Sequence, residues 1–324
     1  MKKEDLRIVF MGTPEFAVET LRALVENDYQ VVAVVTQPDK PVGRHGSVLQ
    51  PSAVKQYALE HGLPVLQPVK MKDEAFVEQL RSYQANLQVV VAFRMLPEVV
   101  WAMPEYGTFN VHAALLPQYR GAAPINWAVI NGETQTGVTT FFLDHDIDTG
   151  RIIQKKPFAI PDDADVEYVY DGLMALGARL CLETLETIIA ADGHPASTAQ
   201  ADVADGAPIH SAPKIFKETC EISWQQPAKK IYDFVRGLSP VPGAWTTLLS
   251  PDGKETVLKI YQSAKTGRPS DQPAGTIRVD GKSLLVAASD EWLQLVEVQL
   301  SGKKRMAARD FLNGMKDLDA CRMK

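Results

Sequence analysis

The sequence predicts an α/β protein, with a mostly parallel sheet in its first half and a small β-barrel in its second. Three observations carry that reading. The 324 residues are enough for about two domains. Over the first 160 positions, short Val-rich apolar runs alternate with amphipathic helical stretches, the pattern of a parallel sheet. After residue 212 the helices give way to short strand-like pieces separated by turns.

Residues 6–11 (LRIVFM), 31–36 (VVAVVT) and 87–93 (LQVVVAF) are apolar nearly throughout, as strands buried on both faces are. Thr13 is placed to cap the first helix and Pro14 to open it, with Phe16, Ala17, Leu21, Leu24 and Val25 on one stripe. Residues 51–60 and 73–82 read as two further helices, 109–112 and 138–143 as strands, and 166–191 as a long helical stretch. Residues 192–212 (DGHPASTAQADVADGAPIHSA) are small, polar and Pro/Gly-bearing, which marks a linker. Beyond it come a helix over 228–237 and strands over 244–249, 256–262, 275–279, 283–287 and 292–299. Turns at Pro251-Asp252-Gly253 and Asp280-Gly281 separate some of them. Five such strands suggest a small barrel, of which the OB fold is a nucleic-acid-binding example. The two domains are therefore expected at 1–191 and 213–324.

Composition narrows the function classes. With 45% hydrophobic and 23% charged residues, the chain reads as globular and soluble. No apolar run approaches the roughly 18 residues of a membrane span. The start, MKKEDLRIVF, mixes acids with bases, unlike a signal peptide. Cys181, Cys220 and Cys321 are too few and too far apart for a disulfide framework or a thiolate zinc site, which points to a reducing, cytoplasmic setting. The net charge of −6 by itself argues against a nucleic-acid partner, but the average conceals a split. Residues 211–324 hold 18 Lys and Arg against 13 Asp and Glu, a net of +5, and the other 210 residues net −11. Different partners for the two parts and merely different solvated surfaces account for this equally.

Several stretches carry candidate chemistry. Met11-Gly12-Thr13-Pro14-Glu15 occupies the first strand-to-helix turn, where a dinucleotide fold needs several glycines. One glycine, with an acid in the first helical turn, disfavours a nicotinamide enzyme. Asn110-Val111-His112 ends a strand, so Asn110 and His112 share one face at the sheet edge where α/β folds bind ligands. An amide donor beside an imidazole suits oxyanion stabilisation and proton transfer, although such a pair is more often structural. Leu115-Leu116-Pro117 and Arg120-Gly121-Ala122-Ala123-Pro124 follow at once, either lining a flat pocket or simply turning. The Asp144-His145-Asp146-Ile147-Asp148-Thr149-Gly150 loop fails the calcium-loop pattern at its sixth and twelfth positions. It leaves Asp148 as a partner for His112 or as a solvated acid. Lys40, Arg44 and His45 lie in a turn-rich insertion after the second strand, within reach of a phosphate backbone or else on a surface loop. Lys303, Lys304 and Arg305 form the densest basic cluster, a composition equally usual on a solvated face.

Taken in order, these segments resemble the methionyl-tRNA formyltransferase family. The resemblance runs through Phe10 to Ala17, Gln37-Pro38-Asp39, Asn110-Val111-His112, Leu115-Leu116-Pro117, Arg120 to Ile125 and Asp148-Thr149-Gly150. It continues through Gly237 to Ala244 and Gly302 to Met306, and so covers nearly the whole chain. It implies a Rossmann-like catalytic domain, a linker and an OB-like C-terminal domain that binds tRNA. It further implies formyl transfer from 10-formyltetrahydrofolate to the amino group of methionyl initiator tRNA. Asn110, His112 and Asp148 match the family's catalytic residues, and Ala114, Leu115, Leu116 and Pro117 its folate-binding stretch. The insertion with Lys40, Arg44 and His45 matches the loop that approaches the acceptor stem.

Two departures stand out. A glycine is expected after the aromatic near the folate site, and here Phe93 is followed by Arg94, which is placed to pair with a folate carboxylate or to point outward. Ala114 stands where the family usually has Ser. The chemistry asks for no covalent intermediate and no metal. A cytoplasmic monomer with no membrane partner is expected. Two rivals remain: a formyltransferase for a small amine, such as an amino sugar or a ribonucleotide amine, and a non-catalytic tRNA-binding protein on the same scaffold. The basic second half argues against the first, and the intact Asn110, His112 and Asp148 against the second.

Overall fold

The computed structural model describes residues 1–42, 48–315 and 317–324. The chain forms two compact units. The first comprises Met1–Gly121, Thr136–Ala159 and Tyr170–Ser211; the second comprises Ala122–Gln135, Ile160–Val169 and Ala212–Lys324. Residues 192–211, whose composition marks a linker, are thus part of the first unit.

The N-terminal portion runs β1 (Arg7–Gly12), α1 (Glu15–Glu26), β2 (Gln30–Val35), β3 (Lys40–Val42), β4 (Val48–Gln50), α2 (Ala53–Glu60), β5 (Val65–Leu66) and α3 (Glu74–Ser82). Then come β6 (Leu87–Val91), α4 (Glu98–Trp101), β7 (Thr108–His112), β8 (Arg120–Gly121), α5 (Pro124–Ile130) and β9 (Gln135–Phe142). β10 (Ile152–Ala159), α6 (Val166–Ala190) and β11 (Ser211–Ala212) follow.

In the first unit one seven-stranded sheet has the order β10-β9-β7-β6-β1-β2-β5. β1 is parallel to β2 and β6, β6 to β7 and β2 to β5, whereas β7 and β9 are antiparallel. Leu87, Val89 and Val91 are fully buried, and so are Val9, Phe10 and Met11. That two-sided burial is why these strands read as unbroken apolar runs. Asp73 and Ser52 cap α3 and α2 through their side chains, to Phe76 N–H and Lys55 N–H respectively.

The expected Thr13 cap is not formed. Pro14 occupies the capping position without a side-chain bond, and the Thr13 hydroxyl instead meets the Gln37 N–H and the Thr36 hydroxyl across to the end of β2. β10 was invisible to hydropathy patterning, because an edge strand reading IIQKKPFA exposes its lysines.

The second unit's remaining elements are α7 (Ala228–Leu238), β12 (Ala244–Leu249), β13 (Glu255–Pro269), β14 (Ile277–Asp280), β15 (Ser283–Ala287) and β16 (Glu291–Leu300). The chain ends with β17 (Met306–Ala307), α8 (Ala308–Asn313) and β18 (Arg322–Met323). Its sheet runs β14-β15-β16-β13-β12-β18, with β17 beside β16, and the ladders are antiparallel. β13 extends well past the expected 256–262, because its second half is polar and half-exposed; register shifts along it bend the strand. The sheet curls until its two edges meet. Thr276 bridges Arg322, and the Met323 N–H donates to the Gly275 carbonyl at 2.9 Å. Gly275 sits at φ +85°, and a Cβ there would collide with the Met323 carbonyl oxygen. α7 fills the concave side, packing Ile231, Val235 and Leu238 against Leu258, Ile260, Leu295 and Val298. The result is an OB-like half-barrel. No helix among the described residues is long and apolar enough to cross a membrane.

Candidate active site

The site is built at the carboxyl end of β7. Pairing with β6 on one side and β9 on the other fixes the strand's register, with Asn110 opposite Phe141 and His112 opposite Thr139. Phe109 and Val111 turn into the core, so Asn110 and His112 share the other face, as period two requires.

His112 is 6% exposed. Its Nε2 lies 2.9 Å from the Tyr119 carbonyl oxygen. A carbonyl only accepts, so Nε2 carries the hydrogen and Nδ1 is the nitrogen left to take up or release a proton. Nδ1 faces the Asp148 carboxylate, with Oδ2 4.0 Å away. That separation is too long for a direct hydrogen bond, and it becomes a charge contact when the ring is protonated. The backbone of Tyr119, rather than Asp148, therefore sets the ring's orientation. Asp148 Oδ2 accepts instead from the Gly121 N–H at 2.9 Å. Asn110 Oδ1 is buried and has no hydrogen-bond partner among the described residues.

The loop that carries Asp148 is held from within. The Asp144 carboxylate accepts from the Asp146 N–H and the Thr149 hydroxyl. Gly150 passes so close to the Phe142 carbonyl that a Cβ would collide with it. Among the described residues, no group of three or more His, Cys, Asp or Glu side chains is arranged to hold a metal ion.

The stretch after His112 is anchored by one buried threonine. The Thr139 hydroxyl donates to the Ala114 carbonyl at 2.6 Å and accepts from the Leu116 N–H at 3.1 Å. Ala114 and Leu116 are fully buried, Pro117 is buried, and Leu115 is half-buried. A Ser at position 114 is not needed for this geometry, since the contacts run through the backbone.

Beside the loop lies a cavity of about 560 Å³, lined by residues 69–72 and 94–98 together with Trp101 and His145. Phe93, just after β6, is half-buried. Arg94 lines the cavity, yet its guanidinium is committed: Nη1 donates to the Val69 carbonyl at 2.9 Å and Nη2 to the Pro68 carbonyl. Its Nε is buried and has no partner among the described residues, so the fork keeps unused donors. Burial pulls its guanidinium below the usual value.

Of the other expected contacts, Lys40 is exposed at the start of β3, whereas Arg44 and His45 fall outside the described residues. The Gln37-Pro38-Asp39 turn at the base of β3 is tied down by Lys55 and Gln67. Both donate to the Asp39 carboxylate, and Gln67 also donates to the Gln37 carbonyl. Those two side-chain bonds hold the Asp39 carboxyl below the usual carboxylate range. In the second unit Lys303 and Lys304 are exposed on a turn. Arg305, also exposed, makes two bonds to Glu297, at 2.6 and 2.7 Å, and lies over the Tyr261 ring. Sequence reasoning missed the Tyr119 carbonyl and the Thr139 hydroxyl, whose residue types carry no functional signal.

Two family models match the chain: one described as formyl transferase, over residues 6–185, and one as the formyl transferase C-terminal domain, over residues 214–316. They define the class, a two-module formyl transferase. A methionyl-tRNA formyltransferase of Parabacteroides distasonis is 64% identical over 98% of both chains, and one of Bacteroides thetaiotaomicron is 57% identical over the full length of both. The chain belongs to the methionyl-tRNA formyltransferase family.

Solved structures agree on the fold. An N-formyltransferase from Helicobacter canadensis, in complex with folinic acid and dTDP-3-aminofucose, superposes with a TM-score of 0.61 at 17% identity, over 93% of this chain and all of that one. HypX from Aquifex aeolicus in complex with tetrahydrofolic acid gives 0.60 at 18% identity, over 95% of this chain; this chain spans about half the length of HypX.

Proposed function

We propose that this formyl transferase moves the formyl group of 10-formyltetrahydrofolate to the amino group of methionyl initiator tRNA, acting as a cytoplasmic monomer in translation initiation. The observation that carries the chemistry is the Asn110 amide, whose buried Oδ1 has no partner among the described residues and which shares one strand face with a His112 whose free nitrogen faces Asp148. A buried acceptor without a partner suits a ligand that brings its own donor, as an attacking amine does.

In this reading the amine nitrogen attacks the formyl carbon and the carbonyl electron pair moves to oxygen. Asn110 Nδ2 donates to that oxyanion while Oδ1 holds the amine hydrogen. His112 Nδ1 takes the amine proton and passes it to the departing folate nitrogen as the carbon–nitrogen bond breaks. Asp148 stabilises positive charge on the ring by Coulomb attraction across 4.0 Å. Residues 114–117, Phe93 and the cavity lined by Arg94 receive the folate, with Arg94 shaping the wall through residues 68–69. Lys40, Arg44, His45, Lys303 and Lys304 contact tRNA phosphates, with Arg305 held back by Glu297.

Single-turnover formylation by His112→Ala tests this. The expected rate is about 10²–10³-fold below the unmodified chain, with tRNA affinity within twofold. A rate close to that of the unmodified chain contradicts the assignment.

A further inference from the structure

The candidate mechanism leaves one buried polar side chain next to the site without a role. Gln200 opens a short 3-10 helix, Gln200–Val203, inside the stretch whose composition reads as linker, yet it is only 4% exposed. Its Oε1 accepts from Arg120 Nε at 3.0 Å and from Arg120 Nη2 at 2.6 Å. Its Nε2 donates to the Asp148 carbonyl at 2.8 Å and to the Gly150 carbonyl at 2.9 Å. Both lone pairs and both hydrogens of the amide are used, and a guanidinium on one side with two carbonyls on the other permits a single amide orientation. Asp148, the residue so gripped, has φ +56°, a left-handed conformation uncommon for non-glycine residues although Asp adopts it more readily than most. Arg120 immediately precedes Gly121, whose N–H binds the Asp148 carboxylate.

We infer that Gln200 is a positioning residue for Asp148, clamping its left-handed backbone from one side while fixing, through Arg120, the N–H that holds its carboxylate from the other. The clamp sets where the carboxylate stands relative to His112 Nδ1. The same local structure recruits more of the supposed linker: the Tyr119 N–H donates to the His210 carbonyl, and Gln118 exchanges bonds with the Pro208 carbonyl and the His210 N–H. A glutamine in a polar, small-residue tract thus acts on the chemistry without touching the substrates. This rests on the reading of Asp148 as the group that stabilises the imidazole.

The test is a double-mutant cycle read by single-turnover formylation of methionyl-tRNA, with rates taken per folded site as titrated by tetrahydrofolate. Gln200→Met keeps the side chain's length and removes its hydrogen bonds. It is expected to lower the rate about 10–100-fold, because a small misplacement of a reacting group costs on the order of 10²-fold. The KM values for both substrates are expected to stay within about twofold. In an Asp148→Ala background the same substitution is expected to cost nothing further, since the residue it positions is gone. Gln200→Glu serves as a second probe. It keeps Arg120 but turns a carboxylate on the two carbonyls, and it is expected to be at least as slow as Gln200→Met. An equal loss in both backgrounds, or a loss confined to KM, overturns the inference. An Asp148→Ala enzyme as fast as the unmodified chain instead removes the reading of Asp148 on which it stands.

Discussion

A buried amide oxygen left without a partner costs about 1–3 kcal/mol, and Asn110 Oδ1 is in that position. Residues that carry such a cost at a sheet edge are the ones a substrate relieves. His112 and Asn110 were legible from spacing alone, since an Asn-x-His at the end of a strand puts both side chains on one face. Asp148 was legible as a carboxylate but not in its geometry: its hydrogen bond goes to a backbone N–H, and peptide groups leave no mark in a sequence. Arg94 shows the same limit from the other side. A cation next to a candidate folate pocket invites an ion pair, yet its guanidinium satisfies two peptide carbonyls of residues 68 and 69. Arg94→Met should therefore loosen the cavity wall without touching the reacting atoms. Bonds from a charged donor are each worth about 1.5–3 kcal/mol, and part of that loss is expected to appear as a KM for formylfolate about tenfold higher at nearly unchanged kcat. Steady-state kinetics with varied folate measure it, and a fall confined to kcat contradicts the role given to Arg94.

At the scale of elements, the buried strands and the capped helices α2 and α3 follow from local signals that agree with one another. The edge strand β10 and the second half of β13 do not, because strands open to solvent on one side carry the polar residues that sequence patterning assigns to loops. The stretch 192–211 shows the reverse: its small polar composition suits a loose connector, but Gln200, Pro208 and His210 bind the segment around Tyr119. The β3–β4 hairpin is anchored at its base by Asp39, whose folded-state carboxyl is held low by Lys55 and Gln67. A carboxyl depressed in the folded state adds stability above its unfolded value, and that contribution fades as pH falls through the folded one. Asp39→Asn is expected to lower Tm slightly at neutral pH, the pair being open to water, and the difference from the unmodified chain should close on acidification. Melting curves across the acid range show whether it does; a gap that widens in acid contradicts the assignment.

For the molecule as a whole, the net charge of −6 is the wrong scale at which to ask about a nucleic-acid partner. The acidic first part carries the candidate chemistry, and the last 114 residues net +5. In the proposed reading so small an excess makes tRNA binding depend on a few well-placed cations, and Arg305, paired with Glu297, is not counted among them. A footprint of even three phosphates gives a log–log salt slope of about −2 to −3, which titrations at several ionic strengths resolve; a flat response contradicts an electrostatic footprint. The most direct measurement is the product itself. The protein is incubated with 10-formyltetrahydrofolate, methionyl initiator tRNA and a competing small amine, and the formylated acceptor is identified. The account predicts N-formylmethionyl-tRNA with formation abolished or nearly so in His112→Ala, whereas formylation of the small amine alone contradicts it.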